Sequence, residues 1–184
     1  MNAAIRGIAH ALLGDYEIYR IYRRDLDPTE TPPPRGVAFE PILSPDILMA
    51  SPDPELRTHV TYSGDGAHGF GAWVGGKLAG SCWYWMPERY QRDRNFWPLQ
   101  NDEAKLVQIS VSAGAQGRGV GGALMHYAEA RMARLGVRRA YARIWHSNEP
   151  SIRMFLKAGW SEVASVTVIR PLGLRFRFVK RASR

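Results

Sequence analysis

Cysteine is almost missing from this 184-residue chain, which contains only Cys82. A single cysteine excludes an internal disulfide framework and any metal site built from a cysteine cluster. It agrees with a reducing compartment, and we predict that Cys82 is a small core residue on a strand. No metal site is predicted.

Long apolar segments are missing as well. The chain has no run of eighteen apolar residues, so it lacks the signature of a membrane-spanning helix. Its first twenty residues interrupt their apolar positions with Arg6, His10, Asp15 and Glu17, whereas a signal peptide needs an uninterrupted apolar core. We therefore predict a cytoplasmic protein without a membrane span.

Acidic residues are in deficit, with 17 Asp and Glu against 25 Lys and Arg, and the net charge is +8. Such basicity suits nucleic acid, an anionic membrane surface, or an acidic cofactor or substrate. The basic groups are accompanied by no zinc-finger spacing, basic leucine zipper or RNA-recognition signature. We predict no nucleic-acid partner and interpret the charge as solvated surface around the entrance of an anionic ligand.

The organisation of the chain indicates one domain behind an N-terminal extension. Hydrophobic residues make up 45% of the sequence, enough for one core. The segment "DLDPTETPPPRG" interrupts regular structure with four prolines. We predict an extension over residues 1–36 and the main domain over residues 37–184. Residues 1–14 have helical apolar spacing, and residues 16–23 fit either a helix or a strand.

Later segments predict an α/β fold. "VAFEPI" is typical of a strand, Ser44 and Ser51 are candidate helix caps, and Gly75 and Gly76 join two strands of a hairpin. Residues 86–101 lack periodicity and are predicted to be a long loop. The second half has the order strand, helix, strand, helix, strand, strand, which indicates a sheet of mixed direction.

The stretch "SVSAGAQGRGVGGALMHYAEARM", residues 110–132, has five glycines between a predicted strand and a predicted helix. Such turns hold pyrophosphates with backbone N–H groups and the positive helix end. The spacing G-x-G-x-x-G is present, but the next strand ends at Trp145 without the acidic residue of a dinucleotide site. A Walker A loop is excluded because Gly122 and Ala123 stand where lysine and a hydroxyl residue are required.

Two motifs give the sequence its family likeness. Gln116, Gly119 and Gly121 match [Arg/Gln]-x-x-Gly-x-[Gly/Ala], and "NEPSIRMFLKAGW" follows at the spacing of a second motif. The sequence thereby resembles the GNAT acetyltransferase superfamily, over residues 103–166 by motif and 37–85 by pattern. The resemblance implies a mixed, mostly antiparallel central sheet flanked by helices. It also implies an N-acetyltransferase that moves the acetyl group of acetyl-CoA to a primary amine of a small molecule or peptide, by direct attack in a ternary complex.

The resemblance also implies an acetyl-CoA site. Backbone N–H groups of the glycine stretch would surround the pyrophosphate, with added charge from Arg118. The end of the preceding strand would pair with the pantetheine arm, and the Val111 N–H would face the thioester oxygen. Asn148 is expected both to cap its helix and to lie beside the cofactor. The predicted cofactor-binding residues are Ile109, Val111, Gln116, Gly117, Arg118, Gly119, Val120, Gly121, Gly122, Asn148 and Ser151.

The catalytic groups are less well defined by the sequence. Glu103 is the predicted general base, although Lys105 occupies the position where the family comparison would place the acid. Phe155 stands where the family often has a tyrosine that protonates the departing thiolate, so the thiol is expected beside Phe155. A non-catalytic CoA-binding module is the alternative function. The acceptor's identity and a homodimer are left open.

Overall fold

The computed structural model describes residues 15–171 and 174–182. Its strands form one eight-stranded sheet in the order β2-β3-β4-β5-β6-β1-β7-β8. The strands are β1 (Asp15–Asp25), β2 (Val37–Ile42), β3 (Ala67–Val74), β4 (Lys77–Trp85), β5 (Glu103–Val111), β6 (Arg139–Trp145), β7 (Ser161–Arg170) and β8 (Phe176–Arg181). The α-helices are α1 (Pro45–Met49), α2 (Pro54–Thr58), α3 (Pro87–Asp93), α4 (Val120–Arg134) and α5 (Glu149–Lys157).

The sheet is mixed and mostly antiparallel, which confirms the predicted fold class. Its one parallel pair in the described residues joins β5 to β6, with Glu103 opposite Arg139 and Leu106 opposite Ala142. Parallel neighbours require a crossover connection, and α4 supplies it. The glycine stretch therefore lies at the end of β5, where the chain leaves the sheet for this crossover helix.

The N-terminal boundary requires a correction. β1 lies between β6 and β7, and Ile21 and Tyr22 on it are 0% and 1% exposed. This strand is part of the domain's core and cannot belong to an extension ahead of it. Its β-branched and aromatic side chains suit a strand that is covered on both faces. The predicted helix over residues 1–14 falls outside the described residues.

Residues 86–101 also differ from the prediction, because they contain α3 rather than a continuous loop. Pro87 begins the helix, and Arg89 forms a salt bridge with Asp93 one turn later at 3.5 Å. The Arg89 guanidinium also stacks over the Trp85 ring at 4.4 Å, which holds the helix against β4. A helix of seven residues is too short to produce a visible helical period in the sequence.

The remaining local predictions are confirmed in large part. Ser44 accepts the Asp46 N–H and caps α1, but the cap of α2 is Asp53, not Ser51. Cys82 is 0% exposed in the core.

Residues 15–171 and 174–182 provide neither a membrane-spanning helix nor a candidate metal site. Every helix there is too short or too polar to span a membrane. These residues also contain no cluster of three or more His, Cys, Asp and Glu side chains that could hold a metal ion.

Candidate active site

The N-terminus of α4 presents uncapped backbone N–H groups. Its N-cap, Gly119, has φ 76°, and Gly117 just before it has φ 73°. These left-handed conformations favour glycine and turn the chain from β5 into the helix. No side chain of the described residues caps α4. The first-turn N–H groups and the positive helix end are therefore available to an anion.

A cavity of about 750 Å³ opens at this helix end. The end of β5, the glycine stretch and one face of α5 form its walls. Thr31 and Pro32 from the proline-rich segment close another side. This segment is fixed to α4, since Arg134 bonds Glu30 and the Pro28 carbonyl oxygen. The cavity has the volume range of small-molecule sites.

Beside the cavity, β5 separates from β6. Their pairing in the described residues stops at Leu106, whereas β5 continues to Val111. The Ser112 N–H donates to the Ala79 carbonyl of β4 at 2.9 Å. Backbone groups alternate in direction along a strand, so the groups of Val111 point away from β4 and toward the gap. The Gln116 side chain donates to the Val111 carbonyl at 2.8 Å, which links the loop to the strand end.

Gly121 lets three elements meet at the cavity. A Cβ atom at this position would lie 3.2 Å from the Met154 sulfur of α5 and 3.4 Å from a Val111 methyl of β5. The first separation is tighter than an ordinary packing distance, and the second is close to van der Waals contact. A side chain at position 121 would therefore press on Met154, and glycine lets the first turn of α4 approach β5 and α5 without that displacement.

The cavity also contains basic side chains that are not among the predicted cofactor-binding residues. Arg153 and Lys157 lie one turn apart on α5 and line the cavity together with His126 of α4. The spacing i, i+4 was the available signal, because it places both cations on one helix face. These side chains give the cavity a charge suited to a phosphorylated ligand.

The comparisons with known proteins agree with this architecture. A model of the acetyltransferase (GNAT) family matches residues 16–160. The chain belongs to this family. No curated protein matches the chain.

Solved structures of GNAT proteins share the fold at low sequence identity. A GCN5-related N-acetyltransferase from Sphaerobacter thermophilus has 14% identity and a TM-score of 0.58, over 97% of this chain and 56% of its own. The ribosomal-protein-S18-alanine N-acetyltransferase from Escherichia coli has 19% identity and a TM-score of 0.52, over 67% and 76%. A tandem GNAT protein of clavulanic acid biosynthesis has 18% identity and a TM-score of 0.58, over 99% and 58%. This GNAT chain thus spans little more than half the length of the Sphaerobacter and tandem proteins.

The structure brings most of the predicted cofactor residues together. Those that line the cavity are Ile109, Val111, Gln116, Gly117, Gly119, Val120, Gly121 and Gly122. Arg118 is exposed in the loop and is not part of the lining. Asn148 caps α5, as predicted, by accepting the Ser151 N–H at 3.2 Å. Neither Asn148 nor Ser151 lines the cavity.

Glu103, the predicted base, is not brought to the cavity. It begins β5, eight residues before Val111, a separation of about 26 Å along a strand. The side chain is 3% exposed and pairs with Arg139 at 2.9 Å. It also accepts the Gln100 N–H at 2.9 Å and the Tyr141 hydroxyl at 3.3 Å. These contacts give Glu103 a structural role between β5 and β6.

Phe155 and Lys105 also lie outside the cavity lining. Phe155 is 3% exposed and packs on Tyr22 and Trp160 with ring-centroid separations of 6.2 and 5.0 Å. The expectation that the CoA thiol lies beside Phe155 therefore has no support from its position. Lys105 is 2% exposed, and its ammonium has no hydrogen-bond partner among the described residues. Burial, reinforced by the charge of Arg143, holds the pKa of Lys105 well below its usual value.

A polar cluster covers the other face of β5, opposite α4. Ser110 donates to the Glu55 carboxylate of α2 at 2.6 Å. His59 lies 2.7 Å from the Ser81 hydroxyl through Nδ1 and 3.1 Å from the Gln108 amide through Nε2. Burial lowers the pKa of His59, while the carboxylates of Glu55 and Asp53 partly oppose that shift. No sequence pattern links these residues, because only tertiary structure brings them together.

Proposed function

We propose that this GNAT protein transfers an acetyl group from acetyl-CoA to a primary amine of a small molecule or peptide. The observation that carries the proposal is the uncapped N-terminus of α4, which opens into a cavity beside the gap between β5 and β6. The family match supports acetyl transfer as the general chemistry.

The residues around the cavity fit an acetyl-CoA molecule. Backbone N–H groups of Gly119, Gly121 and Gly122 would hold the pyrophosphate at the helix end. The basic side chains of Arg153 and Lys157 would complement the phosphate charges. Bound there, acetyl-CoA supplies an acetyl group activated as a thioester.

The strand end supplies the groups that act near the acetyl carbonyl. Backbone groups of Ile109 and the Val111 N–H, which face the gap, would hold the pantetheine amides as another strand would. The Val111 N–H would donate to the carbonyl oxygen of the acetyl group. Because negative charge develops on that oxygen when an amine attacks, a fixed donor there lowers the barrier to transfer.

Acetyl-CoA should raise the melting temperature, because a ligand that binds the folded state alone stabilises it by mass action. At one hundred times the dissociation constant the gain is about 2.7 kcal/mol. Differential scanning fluorimetry with increasing acetyl-CoA measures the shift. Thiol release from acetyl-CoA in the presence of butylamine, phenethylamine, glucosamine and a lysine tripeptide then measures transfer.

The two measurements separate the proposed function from its alternatives. An unchanged melting temperature at millimolar acetyl-CoA would contradict the cofactor assignment. Binding without thiol release for any amine would favour a non-catalytic CoA-binding module. Binding with amine-dependent release is the result that we expect.

A further inference from the structure

Strand β5 alone separates the cavity, on one face of the sheet, from the polar cluster on the opposite face. Ser110 lies between Ile109 and Val111, whose backbone groups face the gap, and it also lines the cavity. Its hydroxyl points to the opposite face and donates to the Glu55 carboxylate at 2.6 Å. Glu55 thereby contacts the strand residue that directly precedes Val111.

Glu55 is fixed at both its main chain and its side chain. The Asp53 carboxylate accepts the Glu55 N–H at 2.9 Å and so sets the start of α2. Ser110 then orients the carboxylate toward β5. The residue itself remains exposed to solvent. An exposed, oriented carboxylate can accept an incoming cation without the cost of a fully buried charge.

The neighbouring ionisable groups are less suited to this task. Asp53 uses its carboxylate to cap α2. His59 is 1% exposed, with both ring nitrogens in contact with Ser81 and Gln108. Glu103 lies at the other end of β5 and is paired with Arg139. Glu55 is therefore the carboxylate that combines access, orientation and nearness to the gap.

We propose that Glu55 is the catalytic base that binds the acceptor as an ammonium and takes its proton, with Ser110 as a positioning residue. The inference rests on the proposed acetyl transfer and specifies its acceptor as an amine that is cationic at neutral pH. Glu55 takes one proton from the ammonium, and the free amine attacks the acetyl carbonyl carbon. The C–N bond forms and the C–S bond breaks. The second nitrogen proton passes through water to the leaving thiolate, and Glu55 releases its proton to solvent.

Glu55→Gln tests the proposal because it keeps the size of the side chain and its ability to accept from Ser110. We expect kcat/KM with the best amine of the panel to fall about 10²-fold or more, the usual contribution of a general base. The acetyl-CoA dissociation constant should stay within about twofold of wild type, as expected for a site on the other face of β5. Ser110→Ala should reduce kcat less than Glu55→Gln does.

Binding gives a readout that does not depend on turnover. Isothermal titration of phenethylamine into the protein with free CoA should show weaker binding for Glu55→Gln, whereas the neutral analogue phenethyl alcohol should bind both proteins alike.

The pH profile gives another readout. Without its base the variant depends on amine that is already unprotonated, so its kcat/KM should continue to rise with pH where that of wild type has levelled. The groups facing Glu55 that titrate or carry charge, Asp53 and His59, are unchanged in this comparison.

Glu40→Gln on β2 is the matched control, because Glu40 is an exposed glutamate outside the cavity lining. This variant should retain the wild-type kcat/KM. The role of Glu55 would be overturned if the wild type transfers acetyl groups and Glu55→Gln leaves kcat/KM, the amine affinity and the pH profile unchanged. A wild type that binds acetyl-CoA and amines without any transfer would overturn the proposed function instead.

Discussion

Lys105 is the residue whose environment conflicts most with its charge. It is 2% exposed, its ammonium has no hydrogen-bond partner in the described part of the chain, and the Tyr90 ring lies 5.6 Å away. Burial and the nearby charge of Arg143 lower its pKa well below the usual value. Burial without a partner disfavours the charged form of the ammonium, so folding costs free energy at pH values where the unfolded chain would hold that proton.

Lys105→Met should therefore stabilise the protein, because methionine fills the same space without a polar end. We expect a gain of about 1–3 kcal/mol in the free energy of unfolding near pH 7, the usual cost of an unsatisfied buried polar group. Urea denaturation of wild type and variant measures it. Lys180→Met on the exposed strand β8 is the control and should change stability little.

The same substitution should alter the dependence of stability on pH. The unfolded lysine has a pKa of about 10.4, so between that value and the lowered folded pKa the unfolded state binds more protons. The free energy of unfolding of wild type should rise with pH in this window and fall as the pH is lowered. In Lys105→Met this contribution should vanish. Equal slopes in the two proteins between pH 7 and 9, with no gain in stability, would show that Lys105 finds a partner in solution.

Among the elements, the first turn of α4 is the one proposed to bind the pyrophosphate of acetyl-CoA. Gly122 lies in this turn and lines the cavity, and a Cβ atom there would meet nothing within 4 Å. Its φ also lies outside the left-handed region. Among the glycines that line the cavity, Gly122 is therefore the one where a side chain can be added without backbone strain or a clash with neighbouring atoms.

Gly122→Leu should leave the fold intact and block acetyl-CoA. The loss of a glycine from a helix favours folding by up to about 1 kcal/mol, so the melting temperature without ligand should not fall. The shift produced by acetyl-CoA should disappear, since the leucine side chain would occupy the space of the pyrophosphate. Gly114→Leu, outside this cavity and equally free of clashes, is the control and should keep the shift. A full shift in Gly122→Leu would remove the pyrophosphate from this turn.

The predictability of these elements from sequence follows from how local their causes are. The limits of β2 and the hairpin at Gly75 and Gly76 depend on short-range pattern and turn chemistry, so they are predictable from the sequence. The place of β1 in the sheet depends on pairing with β6 and β7, more than 100 residues later, which no local pattern contains. The Glu55–Ser110 contact joins residues 55 positions apart and was missed for the same reason.

At the scale of the whole molecule, the protein has a net charge of +8 and a cavity that we propose binds an anion. A cationic field of this kind raises the rate at which anions arrive, and salt weakens it because the screening length falls from about 10 Å at 0.1 M to about 3 Å at 1 M. It also repels a cationic amine. An acceptor of that class therefore needs a local carboxylate such as Glu55 to be held near the gap.

The association rate constant of CoA should accordingly fall about tenfold or more as the salt concentration rises from roughly 0.05 to 0.5 M, within the range of electrostatic steering. Stopped-flow measurements at constant temperature give this slope. Dephospho-CoA, which lacks the 3′-phosphate, should show a shallower slope because it carries less charge. Reversal of Arg153 and Lys157 to glutamate should flatten the slope for both ligands, since these side chains line the cavity. If CoA and dephospho-CoA associate with equal and salt-independent rates, the basic character of this protein serves some purpose other than the capture of CoA.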